Sequence, residues 1–238
     1  MEKANNENQL ILSEVIDNIC MVSNINDFLG KDAFNSEDWD NFKDSWNELD
    51  QDNYMNDDGK YRFRNFCKAR YLRSEDTLWM KEYDHYYQPT AVNPLNGGIK
   101  RWFSPIKGEV FHNSILNQLL KKIGYELSEL TNQDVWNINI YQNRIIAEQN
   151  QQGKPSPEGI HNDGVKYSTL LMINRENVSG GINTIFDQNK TPIFDHTLTK
   201  EGECIFFQDT STYHFASPIV QVDPNKLGIR DLLVVEFY

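Results

Sequence analysis

The segment "GIHNDG" at residues 159–164 sets His161 and Asp163 two positions apart. At a strand end, side chains two apart leave the backbone on the same side, so an imidazole and a carboxylate at this spacing can share one metal ion. Taken alone the triplet is weak. With 35 Asp and Glu and five His in 238 residues, a His followed two places later by an acid arises by chance at roughly even odds. A redox iron site in a β fold commonly takes two histidines and one carboxylate on one face, leaving three positions open. A second histidine must therefore come from a distant strand. His85 and His112 lie in the front half, and His196 sits in a polar connection. His214, in "STYHFASP" after the apolar "GECIFF", is the best placed, about fifty residues beyond Asp163. About sixteen residues further, Arg230 stands at the mouth of the apolar run "GIRDLLVVEFY". A buried guanidinium without a partner is costly, so Arg230 either pairs with Asp231 or Glu236 or receives an anionic ligand. Its planar fork matches a carboxylate.

The elements around these residues divide the chain. Up to about residue 54 the pattern is mostly helical. "NQLILSEVIDNI" carries Leu10, Ile11, Val15, Ile16 and Ile19 on one stripe. "SEDWDNFKDSWNEL" offers Ser36 as an N-cap, acids in the first turn, and Trp39, Phe42 and Trp46 on one face, which reads as core. From Lys60, "KYRFRNFCKARYLR" alternates with period two and directs Arg62 and Arg64 to one face. "PLNGG" at 94–98 reads as a turn, and "NSILNQLLKKIG" as an amphipathic helix ended by Gly124. The second half is a series of short strands: "VWNINIYQNRI", "YSTLLMIN", "GINTIFD", "GECIFFQ" and "DLLVVEFY". Such strands after a helical front predict a sandwich or barrel with helices packed on one sheet. The expected division is 1–54 as a helical elaboration and 55–238 as a β core. "EQNQQGKPSPEG" (148–159) is the best candidate for a mobile loop and leads directly into His161.

Composition restricts the partners. A net charge of −12 repels polyphosphate backbones, so nucleic acid is not expected. No apolar run approaches the ~20 residues that span a bilayer, and the polar "MEKANNENQL" lacks the pattern of a signal peptide, so the reading is cytoplasmic with no membrane partner. Cys20, Cys67 and Cys204 are too widely spaced for a zinc motif and read as reduced thiols.

With "GKYRFR", "YQNR" seventeen residues before His161, "IHND", "SGGINTIFD", "YHFASP" and "RDLLVVEFY" in order, the chain resembles the iron(II)/2-oxoglutarate-dependent dioxygenases over roughly 55–238. It is most similar to the bacterial branch with isoleucine dioxygenase and related hydroxylases of free amino acids. The resemblance implies a mainly β fold with flanking helices, a double-stranded β-helix (jelly roll, cupin-like). It implies Fe(II) held by His161, Asp163 and His214, with 2-oxoglutarate and O2 as cosubstrates. Arg230 would take the distal carboxylate of 2-oxoglutarate, with Gln142 as a second polar contact if its face is turned inward. Arg62, Arg64 and, on the face of Gln142, Arg144 would bind the substrate, a small molecule of the amino-acid class. Many members place Ser or Thr two residues after this arginine; here Leu232 stands there, and the second contact must come from another strand. Asp163 retains the carboxylate that halogenating relatives give up, which implies a hydroxylase. Two other readings stay open: the same chemistry on a carrier-tethered or peptidyl residue, and a jelly-roll protein that binds a ligand without turnover.

Overall fold

The computed structural model describes residues 10–90, 92, 93, 95 and 97–238. The strands in chain order are β1 (Cys20–Asn24), β2 (Arg62–Leu72), β3 (Thr77–Met80), β4 (Ser104–Pro105), β5 (Val135–Ala147), β6 (Tyr167–Glu176) and β7 (Val178–Gly180). They continue with β8 (Asn183–Phe186), β9 (Pro192–His196), β10 (Glu203–Gln208), β11 (Tyr213–Ala216), β12 (Ile219–Gln221) and β13 (Gly228–Phe237). A large sheet runs β1-β10-β6-β13-β5-β2-β3, with β4 also pairing β2, and smaller sheets β11-β8-β9 and β12-β7 complete a jelly roll.

The alternation along β13 explains the layering. Leu233, Val235 and Phe237 point to one side and join the main core; Arg230, Leu232, Val234 and Glu236 line a cavity on the other. The main core lies between the large sheet and the helices α3 (Glu37–Asp44) and α5 (Ser114–Thr131), around Trp39, Phe42, Trp46, Leu120, Ile123, Trp136 and Ile138. Fully burying one such side chain stabilises by about 1.5–3 kcal/mol, so this layer carries much of the driving force for folding. The expected aromatic stripe is thus core, and Ser36 caps α3 by accepting from Trp39 N at 3.2 Å. A second apolar cluster, with Met172, Ile185, Ile205, Phe207 and Leu232, packs on the cavity side of the large sheet.

The structure adds to one expectation and corrects another. The mostly helical front also carries a strand: α1 (Ser13–Asn18) is followed by β1, which pairs antiparallel with β10, so residues before 54 supply an edge strand of the large sheet. Glu126 of α5, 1% exposed, accepts from Leu12 N at 2.9 Å and fastens that segment to the core. Gly124 does not end α5, which runs on to Thr131 and stops at Asn132 in the left-handed region (φ 56°). Gly124 is instead a packing glycine: a Cβ there would lie 2.5 Å from the Tyr71 ring. The turn expected at 94–98 lies partly outside the described residues. Among the described residues, no helix is long and apolar enough to cross a membrane.

Candidate active site

His161 and His214 come from segments about fifty residues apart, yet their backbones form a mutual bridge: His161 N donates to His214 O at 3.0 Å and His214 N to His161 O at 2.7 Å. One ladder pair therefore sets both rings side by side, with centroids 4.3 Å apart. Asp163 follows two residues after His161. Its Oδ1 lies 3.9 Å from His161 Nε2 and its Oδ2 lies 3.4 Å from His214 Nε2. One ligand atom from each of the three can lie within 4.8 Å of the others, a spacing one metal ion can bridge. His161 Nδ1 lies 2.8 Å from Gly159 O; with its proton there, Nε2 faces the site as a lone pair.

Asp209 holds the two halves of the site in register. This fully buried carboxylate, in the turn between β10 and β11, accepts from the backbone N–H of Asp163, Gly164 and Val165 at 2.9–3.1 Å. Its Oδ1 also approaches His214 Nδ1 at 3.5 Å, the limit of a hydrogen bond. Burial alone would push the His214 imidazolium down; Asp209 and Asp163 outweigh it, and His214 titrates above the usual histidine range. Gln88 braces the carboxylate from the other side: its Nε2 donates to Asp163 Oδ1 at 3.3 Å, while its Oε1 accepts from Arg101 Nη2 at 2.7 Å.

The triad opens on a cavity between the large sheet and the strands β8 and β11. Arg62 and Arg64 line it, as their shared face requires. Arg62 Nε donates to Asp52 at 2.7 Å, and its Nη2 is buried without a partner. Burial and then Arg64 lower Arg62; burial likewise raises the Asp52 carboxyl, but Arg62 and Arg64 overcome this and hold it below its usual range. Arg64 sits between the rings of Phe103 and Tyr141, 5.1 and 5.3 Å from their centroids, and donates to Asn143 at 2.7 Å. Arg101, over Tyr86 at 4.7 Å, adds a third guanidinium. From the 148–159 loop comes one carboxylate, Glu158, with Oε1 3.2 Å from His161 Nε2 and Oε2 buried and unpartnered. Ser156 pins this loop by accepting from Ala216 N at 3.0 Å. Glu236 closes the floor, where burial and then Asp163 raise its carboxyl well above the usual range.

Arg230 lies at the other end, 2% exposed, with Nη2 donating to Asn183 Oδ1 at 3.1 Å. Neither Asp231 nor Glu236 pairs with it: Asp231 binds Arg144 and Glu236 binds Asn139 and Tyr141. Burial, then the neighbouring Arg175, push Arg230 down to about 9. The donor set of two imidazoles and a carboxylate fits a divalent metal, and a buried arginine with an orphaned Nε on the same cavity fits an anion.

Gln142 and Arg144 do share a face, but it is the one turned away from the cavity. Gln142 donates to Ser45 Oγ at 2.7 Å, and Arg144 pairs with Asp231 at 2.7 Å and with Asn47. The cavity face of β5 holds Tyr141, Asn143 and Ile145 instead. Period-two alternation groups residues by face but does not say which face is inside, and β5 is apolar on both. Sequence reasoning missed Asp209, Gln88, Arg101 and Glu158. Asp209 carries no local signal, because its partners are backbone groups more than forty residues away.

The model of the 2OG-Fe dioxygenase family matches residues 43–236. The bifunctional enzyme flvA of Aspergillus flavus is 21% identical over 73% of the chain, which spans only 23% of that protein's length. Among solved structures, a BsmA homolog from Methylobium petroleophilum has a TM-score of 0.84 at 28% identity, with 95% of this chain and 90% of that one covered. IDO from Bacillus thuringiensis superposes with a TM-score of 0.79 at 16% identity, covering 100% and 98%, a likeness of fold. A match over 43–236, coinciding with a jelly roll that brings two histidines and an aspartate together, shows that this chain belongs to the 2OG-Fe dioxygenase family, whose cofactors are Fe(II), 2-oxoglutarate and O2.

Proposed function

We propose that the protein hydroxylates an unactivated C–H of a free amino acid, coupled to oxidative decarboxylation of 2-oxoglutarate to succinate and CO2. One observation carries the substrate class: the cavity lining is charged with both signs. Arg62, Arg64 and Arg101 line it together with Glu158, whose Oε2 is buried without a partner. A zwitterion satisfies both, its carboxylate on the guanidiniums and its ammonium on Glu158. A carrier-tethered or peptidyl residue presents a thioester, ester or amide in place of a terminal charge and leaves one of these charges unpaired. The quoted motifs supply the further reading of an isoleucine dioxygenase-like branch.

In this reading His161, Asp163 and His214 hold the iron, and Arg230 anchors the distal carboxylate of 2-oxoglutarate. When bound, iron with 2-oxoglutarate and O2 supplies the oxidising power for C–H hydroxylation. The chain supplies position. Asp209 and Gln88 fix the ligands, the charged walls aim one C–H at the metal, and the 148–159 loop covers the cavity from water. Three reduced thiols and an acidic composition suit a cytoplasmic enzyme with a small-molecule substrate.

The test is a screen of free amino acids with the purified protein, Fe(II), ascorbate and 2-oxoglutarate. Mass spectrometry follows the gain of one oxygen, about 16 Da, alongside succinate. The expected result is one amino acid, or a small group, converted with stoichiometric succinate, and a KM raised at least tenfold by Glu158→Gln with a smaller change in kcat. Succinate no higher with any amino acid than without one would overturn the free-amino-acid reading.

A further inference from the structure

Arg62 and Arg144 are matched by carboxylates, Asp52 and Asp231. Arg230 and Arg175 are not. They are direct partners across the β13–β6 ladder, so their side chains leave the same face of the sheet. Among the described residues neither has an acidic partner. Arg230 reaches only Asn183, and Arg175 reaches only the backbone oxygens of Gly180 and Val178, at 2.8 and 3.4 Å. Arg230 Nε and Arg175 Nη1 are both buried without any partner. Two like charges opposite each other, each with an orphaned N–H, are destabilising unless an anion joins them.

Gly181 marks where the two orphaned donors converge. A Cβ built on it would lie 3.2 Å from Arg230 Nε, 3.3 Å from Arg175 Nη1 and 3.0 Å from Ile219 Cγ2. The absence of a side chain there keeps the approach to both orphaned donors uncrowded. Asn183 cannot be the second donor, because its Oδ1 accepts from Arg230 and its Nδ2 is engaged by His196 O at 3.1 Å. Leu232, two residues beyond Arg230, has no hydroxyl to offer.

We infer that Arg175 is a second binding residue for 2-oxoglutarate, sharing its distal carboxylate with Arg230 in a two-guanidinium cradle fronted by Gly181. The inference rests on the reading of Arg230 given above. Asn183 orients the Arg230 fork, and Arg175, held by the carbonyls of the β7 turn, supplies the donor that a serine or threonine at position 232 would otherwise give.

The test is calorimetric binding to the Fe(II)-loaded protein without oxygen, using 2-oxoglutarate and, as a 2-oxo acid lacking the distal carboxylate, pyruvate. Arg175→Gln is expected to weaken 2-oxoglutarate about tenfold while pyruvate moves less than about twofold. Arg175→Lys, which keeps the charge without the fork, falls between and serves if the glutamine variant does not fold. Wild-type affinity for 2-oxoglutarate in Arg175→Gln, or an equal loss for both ligands, overturns the inference. Arg230→Gln separates the two readings. Weakened 2-oxoglutarate there, with Arg175→Gln unaffected, removes Arg175 alone; unchanged binding in Arg230→Gln removes the Arg230 anchor and this cradle with it.

Discussion

Removing the Asp209 carboxylate should uncouple the proposed metal ligands from the fold, and the variants Asp209→Asn and Asp209→Ala separate the effects. The carboxylate accepts three backbone N–H groups and is fully buried. Alanine leaves those donors without acceptors, and at about 1–3 kcal/mol for each unsatisfied group, partly relieved by water, the expected loss is about 3–5 kcal/mol. Asparagine keeps one acceptor oxygen for the three N–H groups but loses the charge, for about 1–2 kcal/mol. Its NH2 then faces His214 Nδ1, where Asp209 Oδ1 stands at 3.5 Å. A donor there favours the imidazole with its proton on Nε2, the nitrogen a metal needs. Asp209→Asn should therefore lose about 10–100-fold in metal affinity out of proportion to its modest instability. Urea unfolding of the metal-depleted protein gives the first quantity and calorimetric titration with Co(II) the second. The pH dependence adds an independent sign. Because Asp209 and Asp163 raise His214, protons compete with metal above the usual histidine value of about 6.5, and affinity climbs as pH rises through that range. In Asp209→Asn the climb should move to lower pH. Wild-type Co(II) affinity with an unmoved pH profile would refute the brace.

Four further outcomes follow from the same geometry. Asp163→Ala should abolish turnover if Asp163 holds the metal as proposed, while leaving the unfolding midpoint within about 1 kcal/mol of wild type, since Asp163 is partly exposed and its carboxylate meets Gln88, His161 and His214. Arg144→Ala should destabilise by about 2–4 kcal/mol by leaving the buried Asp231 unpaired, with KM for substrate and 2-oxoglutarate unchanged; a KM effect would place Arg144 back in the site. Gly124→Ala should lower stability by about 1–3 kcal/mol despite alanine's helix preference of about 1 kcal/mol, because its Cβ meets Tyr71; a gain in Tm would refute the contact. Glu236 has a raised folded-state pKa, so its contribution is present at low pH and lost as pH rises past the unfolded value of about 4.3. Glu236→Gln, which keeps the acceptor for Asn139 and Tyr141, should flatten that decline in urea unfolding followed against pH.

The parts of the site legible in the sequence were those that depend on spacing along a strand or on the cost of an unpaired charge. His161 and Asp163 converge because i and i+2 share a side, and Arg230 faces the cavity on a strand whose alternate residues are apolar. A sandwich or barrel followed from many short alternating runs after a helical front, and the jelly roll from the family resemblance. What stayed hidden depends on the third dimension. The inner face of β5 is decided by which helices cover the other side, so Gln142 and Arg144 could be grouped but not placed. β1 was masked because "VIDNICMVSN" fits a helical stripe up to the point where Ile19 takes φ 72° and breaks it. Asp209, Gln88 and Glu158 gain their roles from partners distant in sequence, or from a loop whose path no periodicity records.

The position of β13 in the sheet also orders the birth of the molecule. This strand lies between β5 and β6, pairing with each along most of its length, yet both are made well before it. Until residues 228–237 leave the ribosome, β5 and β6 each present an open edge, ready to pair with any exposed strand nearby. The same late strand carries Arg230, so the Arg230 end of the cavity and the closure of the sheet come into being in one event. A nascent chain stalled just short of it would be both inactive and adhesive, and quality control would meet an unclosed sheet before any faulty enzyme.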